Sequence, residues 1–131
     1  MKMTGNKCFL DTSVIIHFFK NNPSIVEALK AFEEIYVSSI VVGELFFGAY
    51  ASADPNKHFG QIGDFLDNCI IVNPAIDSSE AYGRLKSVLK KTGTPIPEND
   101  IWIAAVASAY NIPLFTTDNH FKLMDLNLIS L

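Results

Sequence analysis

The segment Lys7-Cys8-Phe9-Leu10-Asp11-Thr12-Ser13 runs from a short, mainly apolar stretch directly into an acid and two hydroxyl side chains. Lys7–Leu10 reads as a strand, and Asp11-Thr12-Ser13 as a strand-to-helix turn whose side chains suit the start of a helix reaching about Lys20. An acid is thereby placed at a strand's carboxyl end. The same alternation continues downstream. Pro23-Ser24 opens a second helix, with Ser24 and Glu27 at capping-box spacing and Ile25, Leu29 and Phe32 as its buried stripe, ending near Glu34. Ile35–Val37 is a short strand, and Ser38-Ser39 starts a helix through Glu44 to about Ala51. Pro55–Asp67 reads as a helix, Cys69–Val72 as a strand, and Asp77 with Glu80 as the cap of a long helix stopping at Gly93. After the turn Thr94-Pro95-Ile96-Pro97, Glu98–Tyr110 is an apolar helix, Pro113–Thr116 a strand that delivers Asp118, and Leu126–Leu131 a last edge strand. Strands alternating with crossover helices predict an α/β fold, a central mainly parallel sheet flanked by helices in three layers.

The 131 residues suit one domain, taken as 1–131, with room for a single core. Apolar residues at 49% and charged residues at 18% exclude a disordered chain, and no apolar run approaches the ~20 residues of a membrane-spanning helix. Met1–Lys7 is polar and is followed by an apolar segment that Asp11 interrupts, unlike a signal peptide, so a cytoplasmic location is expected. Cys8 and Cys69 lie in strand-like runs and belong to no Cys-x-x-Cys or metal-spacing pattern, which favours buried free thiols.

Four acids stand in or against apolar runs: Asp11, Glu44, Asp100 and Asp118. An ionised carboxylate taken out of water without a partner costs several kcal/mol or shifts its pKa, and a shared divalent cation would compensate all four. Singly, Asp11 and Asp100 also read as helix-end caps and Asp118 as a turn residue. Glu44 is harder to explain, because Ile40, Val41, Val42, Leu45, Phe46 and Phe47 surround it and leave it little free helix surface. With these four set aside, ten acids remain against ten basic residues, so the whole net charge of −4 equals the site's own charge. A nucleic-acid substrate is therefore compatible with an acidic chain, since bound cations invert the local sign. Carboxylates without a His or Cys cluster suit Mg²⁺ or Mn²⁺ rather than Zn²⁺, while His17, His58 and His120 are scattered and read as structural or surface residues.

Leu10-Asp11-Thr12-Ser13, Val41-Val42-Gly43-Glu44-Leu45-Phe46-Phe47-Gly48-Ala49, Asn99-Asp100 followed by Ile103-Ala104-Ala105, and Leu114-Phe115-Thr116-Thr117-Asp118-Asn119-His120-Phe121 together resemble the PIN-domain ribonucleases, specifically VapC-type toxins. The resemblance runs from Phe9 to the end of the chain, and Tyr82-Gly83-Arg84-Leu85 with Leu89 and Gly93 extend it. It departs at Gly43, where an aliphatic residue is common, and at Trp102, where a smaller aliphatic is usual. What it implies is a single PIN-like domain and a metal-dependent endoribonuclease whose acidic quartet is Asp11, Glu44, Asp100 and Asp118. One or two Mg²⁺ or Mn²⁺ ions would be held by these acids, with Glu44 on a second ion or polarising the attacking water. Thr12, Ser13 and Thr116 would orient carboxylates or water, with helix capping the rival role for Thr12 and Ser13. The resemblance also implies a small antitoxin protein that blocks the acidic pocket.

For RNA contact the one dense basic stretch is Arg84, Lys86, Lys90 and Lys91, which equally reads as a solvated helix face. Trp102 could stack on a base or fill a core edge. The pairs Phe18-Phe19 and Phe46-Phe47, with Tyr50 and Phe65, suit a homodimer contact, a groove for a partner's helix, or a wider core. Two other readings compete. A receiver-like Mg²⁺-binding domain is disfavoured because the strand ending at Val72 meets Asn73-Pro74, with no acid, and because Asp11-Thr12-Ser13 is not an Asp-x-Asp pair. A PIN domain for RNA processing, or an inactive RNA-binding module, differs from a toxin by lacking a neighbouring antitoxin.

Overall fold

Strand β1 (Lys7–Leu10) buries Cys8, Phe9 and Leu10 and is bonded on both sides. The computed structural model describes residues 6–131, so Met1–Gly5, most of the polar N-terminal stretch, lies outside the described residues. One neighbour of β1 is β2 (Glu34–Ser38), with Cys8 opposite Ile35; the other is β4 (Leu114–Phe115), with Leu10 opposite Phe115. Beyond β2 lies β3 (Ile70–Val72), and beyond β4 lies β5 (Leu128–Ile129). The order β3-β2-β1-β4-β5 is parallel throughout, and among the described residues six helices flank it in an α/β/α sandwich. Apolar side chains on both faces of β1 are what a parallel sheet covered on both sides requires.

The helices are α1 (Thr12–Phe19), α2 (Pro23–Leu29), α3 (Ser39–Tyr50), α4 (Pro55–Leu66), α5 (Ile76–Lys91) and α6 (Glu98–Tyr110). Helix α6 is buried at Ile101 and from Ile103 through Ala107, and its three alanines there let α5 and the core approach closely. A 3₁₀ turn, Asn119–Leu123, follows β4 and is anchored by fully buried Phe121. No described helix is long and apolar enough to cross a membrane. Cys8 and Cys69 are free thiols, and burial raises them to about 12 and about 11.

Three helix ends differ from expectation. The second helix is capped by Asn22, whose Oδ1 accepts from the backbone N–H groups of Ser24 and Ile25, rather than by a Ser24–Glu27 box. Pro23 occupies the first helical position, which pushes the cap one residue upstream. This helix also stops at Leu29 and not near Glu34: Lys30, Ala31 and Phe32 turn back with three-residue hydrogen bonds, and β2 already begins at Glu34. At α5 the start is fixed by Ser78, whose Oγ accepts from the Ala75 N–H at 2.6 Å and donates to the Ala75 carbonyl at 2.9 Å, while Asp77 and Glu80 face outward.

Candidate metal-binding active site

The strand order reverses between β1 and β4, since β1-β2-β3 grow to one side and β4-β5 to the other. In open α/β sheets the crevice beyond the carboxyl ends at such a switch is where ligands bind. Asp11 leaves β1 there, and Thr116 and Asp118 leave β4 there. Pro97 starts α6 so that Asn99 and Asp100 reach the same crevice in the helix's first turn, and α3 brings Glu44 across from its middle. The four acids line one cleft of about 730 Å³, with Thr12, Ser13, Asn99 and Gly43 between them. A Cβ on Gly43 would meet no atom within 4 Å, so the cleft wall at this glycine is open.

Asp11 is the buried member at 4% exposure and holds the N-cap position of α1, yet its side chain makes no cap bond. Its Oδ2 instead accepts from Ser13 Oγ at 2.7 Å and from Thr116 Oγ1 at 2.8 Å. Thr116 Oγ1 in turn accepts from the Asp118 N–H at 2.9 Å, and Ser13 Oγ from the Thr117 N–H at 3.2 Å, tying the β1 and β4 ends together. Glu44 is half-buried at the rim: Thr12 Oγ1 donates to its Oε1 at 2.6 Å and Asn99 Nδ2 to its Oε2 at 3.3 Å. Thr12, Ser13 and Thr116 thus direct their hydroxyls at carboxylates, not at helix N–H groups. The isolation argued for Glu44 from its apolar neighbours does not hold, because the outer side of α3 carries exposed Phe46, Phe47 and Tyr50 in water. Glu44 is held at the cleft by polar partners, and not by want of another surface.

Desolvation raises the pKa of Asp11, opposed by the Ser13 and Thr116 hydrogen bonds and reinforced by Glu44. Asp100 is raised to about 6, first by burial and then by the negative charge of Asp11, with Asp118 and Glu44 adding and His120 opposing. Asp11 and Asp100 therefore resist ionisation in the empty cleft, and a cation beside them would favour their charged forms.

His120 is the residue that sequence reasoning set aside. Although exposed, its Nδ1 lies 3.4 Å from Asp100 Oδ2 and 3.4 Å from Asp118 Oδ1. Asp100, Asp118 and His120 offer ligand atoms all within 4.8 Å of one another. The available signal was the Asp118-Asn119-His120 spacing: Asp118 Oδ1 accepts from the His120 N–H at 2.9 Å, an Asx turn that keeps the His120 backbone beside the acid.

The basic stretch lies elsewhere. Arg84, Lys86, Lys90 and Lys91 are exposed on α5 and none lines the cleft. Arg84 bonds Ser108 and pairs with Glu80, and Lys86 is engaged by Glu98 and Tyr82, which raises its pKa and lowers that of Glu98. Trp102 stacks on Tyr82 with centroids 4.1 Å apart. Beside a groove of about 390 Å³, Phe65 meets Phe19 edge to face and Phe18 at a tilt, and Phe59 takes Phe46 and Tyr50.

A parallel five-stranded sheet with an acidic cleft at its switch point, and matching of residues 8–126 by the family model described as "PIN domain", show that the chain belongs to the PIN-domain family. Within that family its similarity is to the VapC ribonucleases. It is 35% identical over 116 residues to ribonuclease VapC2 of Haemophilus influenzae, covering 86% of both chains, and 28% identical over 127 residues to ribonuclease VapC5 of Mycobacterium tuberculosis, covering 95% of this chain and 93% of the other. Among solved structures, VapBC2 of Rickettsia felis bound to a fragment of promoter DNA superposes with a TM-score of 0.91 at 27% identity, covering 95% of this chain and 98% of that one. VapBC-1 of nontypeable Haemophilus influenzae gives 0.86 at 30% identity, covering 95% and 97%.

Proposed function

We propose that the protein is an endoribonuclease, dependent on Mg²⁺ or Mn²⁺, that hydrolyses RNA phosphodiesters as the toxin of a VapBC-type pair. The observation that carries this is the convergence of Asp11, Glu44, Asp100 and Asp118 on one cleft at the switch point, with Asp100 raised to about 6 by burial and by its acidic neighbours. The four are the metal-binding and catalytic set in this reading. The similarity to VapC ribonucleases supports the RNA substrate, and the similarity to VapBC complexes supports a small antitoxin partner.

A donor set rich in carboxylate oxygens fits a hard divalent ion. When bound, such an ion supplies Lewis acidity toward the phosphate and a lowered pKa for attacking water. The protein's part is positioning. Ser13 and Thr116 hold Asp11 through its Oδ2, and Thr12 with Asn99 holds both oxygens of Glu44, which restrains the orientation of each acid. Glu44, half exposed to the open cleft beside Gly43, is placed to accept a proton from water approaching the phosphate.

The deciding experiment compares RNA cleavage by the wild type, Asp100→Asn and Glu44→Gln with Mg²⁺ or Mn²⁺ and with a chelator. Both variants are expected to lose about a hundredfold or more in rate while staying folded, and chelation to stop cleavage. Equal activity of wild type and Asp100→Asn, or cleavage surviving the chelator, would sink this mechanism.

A further inference from the structure

His120 enters the cleft's chemistry through a geometry its sequence position does not announce. Its Nδ1 is 3.4 Å from one oxygen of Asp100 and 3.4 Å from one oxygen of Asp118. Donor atoms on adjacent corners of an octahedral ion with bonds near 2.1 Å stand roughly 3 Å apart, so a shift of a few tenths of an ångström brings Nδ1 and either oxygen to the edge of one coordination shell. The backbone that carries it is also fixed. Asp118 bonds the His120 N–H at 2.9 Å, and the next residue, Phe121, is fully buried, which pins the 3₁₀ turn carrying the imidazole.

We propose that His120 is an inner ligand of the metal held by Asp100 and Asp118, and that this nitrogen makes the site prefer Mn²⁺ over Mg²⁺. The inference rests on the carboxylate-metal reading above and adds a ligand to it. Mg²⁺ is small and hard, demands near-ideal octahedral oxygen coordination and dehydrates reluctantly, whereas Mn²⁺ accepts an imidazole beside carboxylates with looser geometry. An all-carboxylate cleft would leave the two ions nearly equivalent. One imidazole in the shell separates them.

The test uses the full chain, free of any affinity tag, with Mn²⁺ and Mg²⁺ alone as probes. Electron spin-echo modulation of bound Mn²⁺ is expected to show ¹⁴N coupling from one imidazole in the wild type and none in His120→Gln. Competition titration is expected to show that His120→Gln lowers Mn²⁺ affinity by about tenfold or more while changing Mg²⁺ affinity by no more than about threefold. His120 is exposed, so the variant is expected to fold, with circular dichroism as the check. Mn²⁺ bound in an Asp100-dependent manner without ¹⁴N coupling, or an unchanged Mn²⁺-to-Mg²⁺ ratio in His120→Gln, overturns the role of His120 and leaves the carboxylate site standing. Mn²⁺ binding that Asp100→Asn does not weaken, or no binding at all, overturns both.

Discussion

At the residue scale, Asp11 and Asp100 share a cleft but not an environment. Asp11 is the more buried and has hydroxyl donors on Oδ2, whereas Asp100 has His120 at its edge and three acids nearby. Asp100 titrates at about 6 in the folded protein, against ~3.9 for an unfolded Asp. Between those values the folded state holds more protons than the unfolded one, so stability falls as pH rises through the window and stays lowered above it. Asp11, also raised, acts in the same direction. The metal-free protein is therefore expected to melt at a higher temperature near about pH 5 than near about pH 7.5, and Asp100→Asn to be more stable at the upper pH by up to about 3 kcal/mol. Thermal melts in chelator at both pH values check this, and a variant no more stable than wild type at the upper pH refutes it. Added Mn²⁺ or Mg²⁺ is expected to raise the wild-type melting temperature near about pH 7.5 and to leave that of Asp100→Asn nearly unchanged.

At the element scale, three helices end in one way, with a left-handed residue just past the last turn. Gly93 at φ +67° follows α5, Asn111 at +52° follows α6, and Asn21 at +59° follows α1. In each the next N–H reaches back across the turn: Thr94 to the Leu89 carbonyl, Ile112 to Ala107, and Asn22 to His17. Glycine tolerates this conformation freely and asparagine better than other residues with a Cβ. Two of these helices carry the site at their opposite ends, α6 with Asp100 in its first turn and α1 with Asp11 at its N-cap. A Cβ at Gly93 meets nothing within 4 Å, so Gly93→Ala carries backbone strain alone. It is expected to cost about 1 kcal/mol in urea unfolding, with the midpoint lowered and RNA cleavage by the folded fraction unchanged. Asn111→Ala is expected to cost a similar ~1 kcal/mol.

At the scale of the whole molecule, the acidic cleft is bordered by apolar surface. Phe47, 77% exposed, lines the cleft beside Glu44, and Ile16 is common to the cleft and to a neighbouring groove between α1, α3 and α4. A partner can thus cover apolar side chains and reach the acids in one contact. An antitoxin segment that brings Arg or Lys against Asp11 and Asp100 is expected to inhibit. Replacing all basic residues of that segment is expected to weaken binding by roughly 2–5 kcal/mol, measured by calorimetry beside inhibition of cleavage. Tight binding undiminished by those replacements counts against it.

Much of this architecture follows from local rules. The alternation of apolar runs with capped helical segments was enough for a parallel α/β sheet, and Asp11 and Asp118 at strand ends marked the crevice, because period and turn chemistry are properties of neighbouring residues. The capping partners Asn22 and Ser78 were less legible than Ser24 and Asp77, since several adjacent residues satisfy the same rule and only the backbone path selects one. What only the tertiary structure decided is what crosses between segments: Thr12 turned to Glu44, Thr116 joined to Asp11, Lys86 held by Glu98, and His120 set between Asp100 and Asp118. The sequence by itself determined which residues are acids and which strand or helix ends they occupy. Their union in one cleft came from the reversal of strand order between β1 and β4 and from the packing of α3 and α6 against that point, a property of the whole sheet and of no single segment.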